Sequence, residues 1–358
     1  METRDIIVIG TSHGGLTALR ELVRELPRDL PAAVFIVQHI DPLTPSVLPS
    51  LLQQNGQLEV THAVDGDEIR HSHIYVAPPD HHLMIEDGHV RLSQGPKENL
   101  MRPAIDPLFR SAALAFRSRV VGVVLTGELD DGTAGLWSVK YGGGITVVQD
   151  PHEAEFPGMP QSAVKNVQVD HCLPLSEIGP LLVRLANDPA GESESGLDVD
   201  NLKLEMDIAL GQLEAPRVVE KLGKLTSFTC PACHGSLWEV REGSLMRFRC
   251  RTGHGYTAES LLAEQKQTID NLLHDAIRAT EENPTLCRYL SEHAREHNDH
   301  LAADHFLYQR AENERRAHLI RQLLEPHEKP FAAEHSGWNA GNHEWSRDPA
   351  RTHNLGES

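Results

Sequence analysis

The sequence predicts an α/β protein: a doubly wound, mostly parallel sheet with a hairpin insertion, then a small zinc-ribbon-like module and a helical carboxyl-terminal extension. Three observations predict it. Short apolar runs alternate with amphipathic stretches through residues 1–185, the pattern of a parallel sheet with helices on both faces. Cysteines and a histidine at metal-ligand spacing gather between Cys230 and His254. Beyond them, residues 259–324 are charged and helical in spacing.

Ile6 to Ile9 is an unbroken apolar run and reads as a buried strand; Leu16, Leu19, Leu22, Val23 and Leu26 then recur at helical spacing. Further strands are expected at Val34–Gln38, His73–Val76, Val120–Thr126 and Ile145–Gln149, and helices at Asp106–Phe116 and Thr133–Tyr141. Between His71 and Leu92, two extended stretches flank Asp87-Gly88, a dipeptide suited to a tight hairpin turn. Residues 186–200 are small, polar and acidic, which reads as a linker. Residues 201–258 hold a helical piece and the Cys/His module. Residues 259–324 read as a helical hairpin interrupted near Asn283-Pro284. Residues 325–358 have little apolar content and are expected to be disordered.

At 358 residues and 39% hydrophobic, the chain can bury a large core and carry an appendage. Its formal charge of −19 argues against nucleic acid as a main partner. No apolar run reaches the ~18 residues of a membrane span, so no membrane insertion is expected. The amino terminus enters a strand without a signal peptide's apolar core, and five cysteines are too few for a disulfide scaffold. Both features point to the cytoplasm.

Ser12 lies in Gly10-Thr11-Ser12-His13-Gly14-Gly15, on the turn from the first strand into a helix. A turn of this Gly-x-Ser-x-Gly type lifts a hydroxyl clear of the sheet and presents helix N–H groups beside it. His39 follows the second strand, and Asp130-Asp131 follows the strand at Val120–Thr126. Strand ends of an open parallel sheet face the ligand crevice, so serine, histidine and aspartate converge on one rim. Nucleophilic acyl chemistry needs that set: a base for the hydroxyl proton and an acid to orient the base. Other readings exist. Glycine-rich turns also cradle phosphates, although the spacing here is not Gly-x-Gly-x-x-Gly and no acid ends the second strand. His39 could be structural, and Asp131 could cap the helix starting near Thr133.

These segments resemble the catalytic domain of chemotaxis protein-glutamate methylesterases, the CheB family, over roughly residues 4–185. The resemblance rests on Ile9-Gly10-Thr11-Ser12-His13-Gly14-Gly15, Gln38-His39, Tyr75-Val76-Ala77-Pro78, Arg102-Pro103-Ala104-Ile105-Asp106, Leu125-Thr126-Gly127 with Asp131-Gly132, and Gly158-Met159-Pro160. It implies a serine hydrolase without a catalytic cofactor, acting on glutamyl methyl esters of methylated chemoreceptor-type proteins and able to deamidate glutamine. It further implies Ser12 as nucleophile, His39 as base and Asp131 as orienting acid, with Asp130 the local rival. The N–H groups of His13 and Glu128 are positional candidates for the oxyanion hole. Arg102 is expected to meet acidic groups of a receptor or to form a loop salt bridge. The sequence departs from the family at His13, usually threonine, and at Gly127-Glu128-Leu129, usually Gly-Met-Gly. The usual amino-terminal receiver domain is expected to be absent. A weakened binding module and a serine esterase outside chemotaxis are the alternative readings.

Cys230-Pro231-Ala232-Cys233 and Cys250 with His254 form two ligand pairs, the spacing of a structural zinc site. A redox pair at Cys230 and Cys233 is the rival reading. His293, His297, His300 and His305 read as a solvated helix surface without a ligand scheme.

Overall fold

A computed structural model of the protein describes residues 2–191, 196–212, 215–242 and 245–324. The expected disordered tail and residues 192–195 of the expected linker lie outside the described residues. The chain divides into two compact units, Met1–Thr268 and Ile269–Ser358.

The first unit is built on a seven-stranded sheet: β1 (Ile6–Thr11), β2 (Ala33–Gln38), β3 (Glu59–His62), β4 (His73–Val76), then β7 (Val120–Val124), β8 (Ile145–Gln149) and β9 (His171–Leu173). The intervening β5 (His82–Glu86) and β6 (His89–Ser93) form the expected antiparallel hairpin. The sheet order is β3-β4-β2-β1-β7-β8-β9, and every pairing is parallel. β1 is fully buried because helices cover both faces. Leu19, Leu22, Leu52, Ile178 and Leu182 from α1 (Gly15–Arg24), α2 (Leu48–Gln53) and α6 (Leu175–Asn187) pack on one face. Phe109, Ala112, Leu136 and Met159 from α3 (Ile105–Phe116), α4 (Thr133–Tyr141) and α5 (Gly158–Asn166) pack on the other. This is the doubly wound arrangement that the alternating pattern predicted. Asp87 and Gly88 take φ of 49° and 79°, which gives the hairpin its turn.

The chain leaves β1 for β2 on one side and later returns beside β1 as β7 on the other. The carboxyl ends of β1, β2 and β7 therefore border the switch point of the sheet, where open α/β sheets bind ligands.

One boundary differs from expectation. Ala186 and Asn187 finish α6 instead of opening a linker, because Ala186 packs into the core beside Leu182. After α7 (Val199–Leu210) and α8 (Ala215–Leu222), the Cys/His segment forms a four-stranded antiparallel sheet of β10 (Lys224–Thr229), β11 (Ser236–Glu242), β12 (Leu245–Cys250) and β13 (Gly255–Thr257). This sheet belongs to the first unit.

In the second unit, the later part of α9 (Ala258–Glu296) pairs with α10 (His300–Leu324). Asn313 donates to Asn283 Oδ1 at 2.7 Å, and Arg321 pairs with Glu281. The helix runs through Pro284 without a break, contrary to expectation. The turn falls at His297-Asn298-Asp299 instead, where Asn298 takes a left-handed φ of 58° that ends the helix. No described helix is long and apolar enough to cross a membrane.

Candidate active site

Ser12 sits on the turn between β1 and α1, with its N–H bonded to the Thr126 carbonyl at 3.0 Å. Gln38 Nε2 donates to the carbonyls of Ser12 (2.7 Å) and His39 (3.0 Å), tying the first two strand ends together. His39 Nδ1 lies 3.1 Å from Ser12 Oγ, and His39 Nε2 lies 2.7 Å from Asp131 Oδ2. With Asp131 ionised, Nε2 carries the proton and the Nδ1 lone pair faces the hydroxyl. The imidazole and the carboxylate are almost wholly shielded from water, which strengthens both bonds.

Asp131 does not cap α4. Its carboxylate reaches across to the first turn of α3, where it accepts the N–H of Ile105 at 2.7 Å and of Asp106 at 3.3 Å. It also accepts from Asn99 Nδ2 at 2.8 Å and from its neighbour Gly132 N–H at 2.9 Å. Burial pushes the Asp131 carboxyl up, but the bond from His39, the Ile105 N–H and Asn99 outweigh it and hold it below the ordinary aspartate value. The amino-terminal end of α3 adds a favourable field for that negative charge. Asp106 behaves oppositely: burial, then the adjacent Asp131 charge, push it up to about 8. The imidazole bonds Asp131, while Asp130 accepts the Thr257 hydroxyl at 2.7 Å.

Gly127 closes the site from the β7 side. A Cβ there would stand 2.8 Å from Ser12 Cβ and 2.1 Å from Met159 Sδ, so only glycine permits this approach. The backbone N–H groups of His13 and Glu128 donate to no acceptor among the described residues. One lies on the serine's own turn and the other follows Gly127.

The Cys/His residues also converge. The ligand atoms of Cys230, Cys233, Cys250 and His254 all lie within 4.8 Å of one another. Cys233 Sγ is 3.5 Å from Cys250 Sγ, and His254 Nδ1 is 3.5 Å from Cys250 Sγ and 3.7 Å from Cys230 Sγ. A tetrahedral zinc with Zn–S bonds of about 2.3 Å sets ligand-to-ligand edges of about 3.8 Å, so the cluster fits the ion. Tyr256 and Thr252 hydroxyls lie 3.3 Å from Cys230 and Cys233 sulfurs, placed to support thiolate charge. His293, His297, His300 and His305 are exposed and form no metal-binding group among the described residues.

Comparison with known proteins places the sheet-built part of the chain in a family. The family model described as CheB methylesterase matches residues 7–182. A putative protein-glutamate methylesterase/protein-glutamine glutaminase of Leptospira interrogans is 38% identical over 182 residues, covering 51% of this chain and 94% of that protein. The chain belongs to the CheB methylesterase family. A protein-glutamate methylesterase/protein-glutamine glutaminase of Anaeromyxobacter dehalogenans is 40% identical over 174 residues, covering 49% of this chain and 51% of its own. The Thermotoga maritima relative is 35% identical over 184 residues, covering 50% of this chain and 54% of its own. Against these two, the chain spans about half the relative's length. The crystal structure of the Thermotoga maritima CheB methylesterase catalytic domain matches at 34% identity with a TM-score of 0.49, covering 52% of this chain and all of that one.

The departures from the family pattern have visible consequences. Leu129 takes a left-handed φ of 60°, a conformation in which a branched side chain is strained and glycine is not. The Glu128 carboxylate is 60% exposed and lies 3.9 Å from the equally exposed His13 ring, so water screens it. Arg102 forms a loop strut: its guanidinium holds Asp80 Oδ1 at 2.6 and 2.9 Å and the carbonyls of Gln94 and Gly95 at 3.0 and 2.7 Å. These contacts are those of the loop salt bridge, one of the two expectations for this residue. Sequence reasoning did not single out Asn99, Asp106 or Thr257. Asp106 stood within a quoted motif at a helix start, which was its only signal; Asn99 and Thr257 carried none.

Proposed function

We propose that the protein hydrolyses glutamyl γ-methyl esters on chemoreceptor-type proteins, and deamidates glutamine as the names of its relatives state for them. The observation that carries this reading is the unbroken chain from Ser12 Oγ to His39 at 3.1 Å and from His39 to Asp131 at 2.7 Å. Ser12 Oγ attacks the ester carbonyl while His39 Nδ1 takes its proton. Asp131 holds the imidazole in orientation and stabilises its positive form. The N–H groups of His13 and Glu128 bind the oxyanion. His39 returns the proton to the departing methoxide, methanol leaves, and water activated by the same histidine releases the glutamate. No step calls for a cofactor. In this reading residues 1–185 form the catalytic segment.

The same reading assigns a structural zinc ion to Cys230, Cys233, Cys250 and His254 within the 201–258 module. Four protein ligands close the coordination sphere, so the ion would supply folding energy and no catalysis. Free thiols at that site support work in the cytoplasm.

The test is methanol release from a methylated chemoreceptor by wild type and Ser12→Ala. Release by wild type alone supports the serine mechanism, and equal release by both removes it. Binding of receptor with no release by either would favour a docking module weakened at Glu128-Leu129, the reading that the strained Leu129 backbone supports.

A further inference from the structure

Among the described residues, the Asn99 side chain hydrogen-bonds both Asp131 and Asp106. Its Nδ2 donates to Asp131 Oδ1 at 2.8 Å and to Asp106 Oδ2 at 2.9 Å. An asparagine amide has two nearly isosteric orientations, and only one presents N–H to a carboxylate. The reversed amide would set its oxygen against the Asp131 charge. The correct orientation is fixed by what Oδ1 accepts: the Thr257 N–H at 3.1 Å and the Ser260 hydroxyl at 3.3 Å.

Both donors come from outside the span matched by the family model, which ends at residue 182. Thr257 closes β13, and its Oγ1 caps α9 by accepting the Ser260 N–H at 3.0 Å. The same hydroxyl donates to Asp130 Oδ1 at 2.7 Å, beside the orienting acid. The backbone agrees with the side chains. Asn99 N–H donates to the Gly255 carbonyl at 2.9 Å, and Gly255 N–H donates to Lys97 O at 3.2 Å. Asn99 and Leu100 both take left-handed φ values, 47° and 71°, so this loop needs an external clamp to hold it. A buried ion cluster locks the clamp in place: Glu98 binds Arg110 of α3 at 2.6 Å and Arg249 of β12 at 3.0 Å, and Arg249 also meets Glu205 of α7 at 3.0 Å.

We propose that β13 and the first turn of α9 are a positioning strap for the esterase site, with Thr257 and Ser260 fixing the Asn99 amide and Asn99 fixing Asp131. The Cys/His module is then a working part of the hydrolase. The inference rests on the Ser12-His39-Asp131 reading above and deepens it.

The test uses the full chain and methanol release from a peptide carrying a glutamyl γ-methyl ester. Thr257→Val keeps the backbone N–H that Asn99 Oδ1 accepts but removes the cap that holds it there, and the donor to Asp130. It lowers kcat about tenfold with KM within about twofold, the size of effect expected from slight misplacement of a catalytic group. Thr257→Ser restores the wild-type rate. Asn99→Gly, which tolerates the left-handed backbone, lowers kcat by at least as much, and adding Thr257→Val to it changes little further. Val240→Ala, in the module's own core, lowers the melting temperature without this kcat loss. Ser260→Ala carries the same test should Thr257→Val not fold. The strap is overturned by wild-type kcat in folded Thr257→Val and Ser260→Ala, or by their losses multiplying with that of Asn99→Gly. Failure of the site reading looks different, because Ser12→Ala would then retain activity.

Discussion

His39 and Asp131 stand 92 positions apart in the chain and meet at 2.7 Å, whereas all four Cys/His ligands fall within Cys230–His254. The first meeting is arranged by a sheet. β1, β2 and β7 are buried on both faces, and their register fixes where each strand end delivers its residue. The second has little core behind it: Leu237, Phe248, Tyr256 and Leu261 make up most of the apolar cluster around Cys230 and Cys250. One site inherits its geometry from packing. The other must hold its fold together through the ligands themselves. Substitutions should therefore behave differently in the two places.

The largest effect is expected at the cluster. Cys233→Ser should abolish stoichiometric zinc and unfold the module, since ligand loss removes a term of about 10 kcal/mol or more in small zinc domains. Metal analysis and the melting profile measure this; bound zinc with an unchanged profile would make the cluster an ordinary packed sheet. At the rim the sheet should survive while the chemistry fails. Asp131→Asn should keep near-native circular dichroism yet lose about 10⁴-fold in kcat, the scale for disorienting the histidine of a triad. Leu129→Gly should raise stability by roughly 0.5–1 kcal/mol, because relief of left-handed strain exceeds the glycine's entropic cost; denaturant unfolding reads it, and a loss would show that Leu129 is held by packing.

Asp130 gives a pH signature. Burial pushes its carboxyl up to about 7, against the Thr257 bond, from an ordinary value of 3.8. The folded state holds a proton that the unfolded chain releases, so this contribution is complete below about pH 3.8 and fades as pH rises through about 7. Asp130→Asn keeps an acceptor for Thr257 and removes the titration. Its melting temperature relative to wild type should climb between pH 4 and 7 and level off above; a constant difference would contradict the shift. The smallest effect belongs to Glu128→Gln. The carboxylate is exposed, so its removal should raise kcat/KM only about twofold at low salt and less at high salt.

The same contrast explains what was legible in the sequence. β1 and β4 are buried throughout and β2 and β8 at all but one end residue, and their short apolar runs stood out. β3 and β9 have four and three residues at the sheet's edges, with only partly apolar content, and left no signal. Ser12, His39 and Asp131 could be read because each follows an apolar strand. The Cys/His ligands could be read because their chemistry is local. Asn99 could not, because its partners Asp131 and Thr257 are distant in sequence and nothing in a polar loop announces an amide's orientation. Pro284 misled because proline is a common helix breaker, yet a long helix can absorb one missing hydrogen bond and end where Asn298 turns left-handed.

The central claim is that Ser12 and His39 act as one unit. The most direct measurement compares methanol release by wild type, Ser12→Ala, His39→Ala and the double variant on one methyl-esterified substrate. Residues that act together are strongly non-additive. All three variants should fall by about 10⁴-fold or more and agree with one another within about threefold. A double variant slower by the product of the single losses, or a Ser12→Ala protein as fast as wild type, would contradict the account.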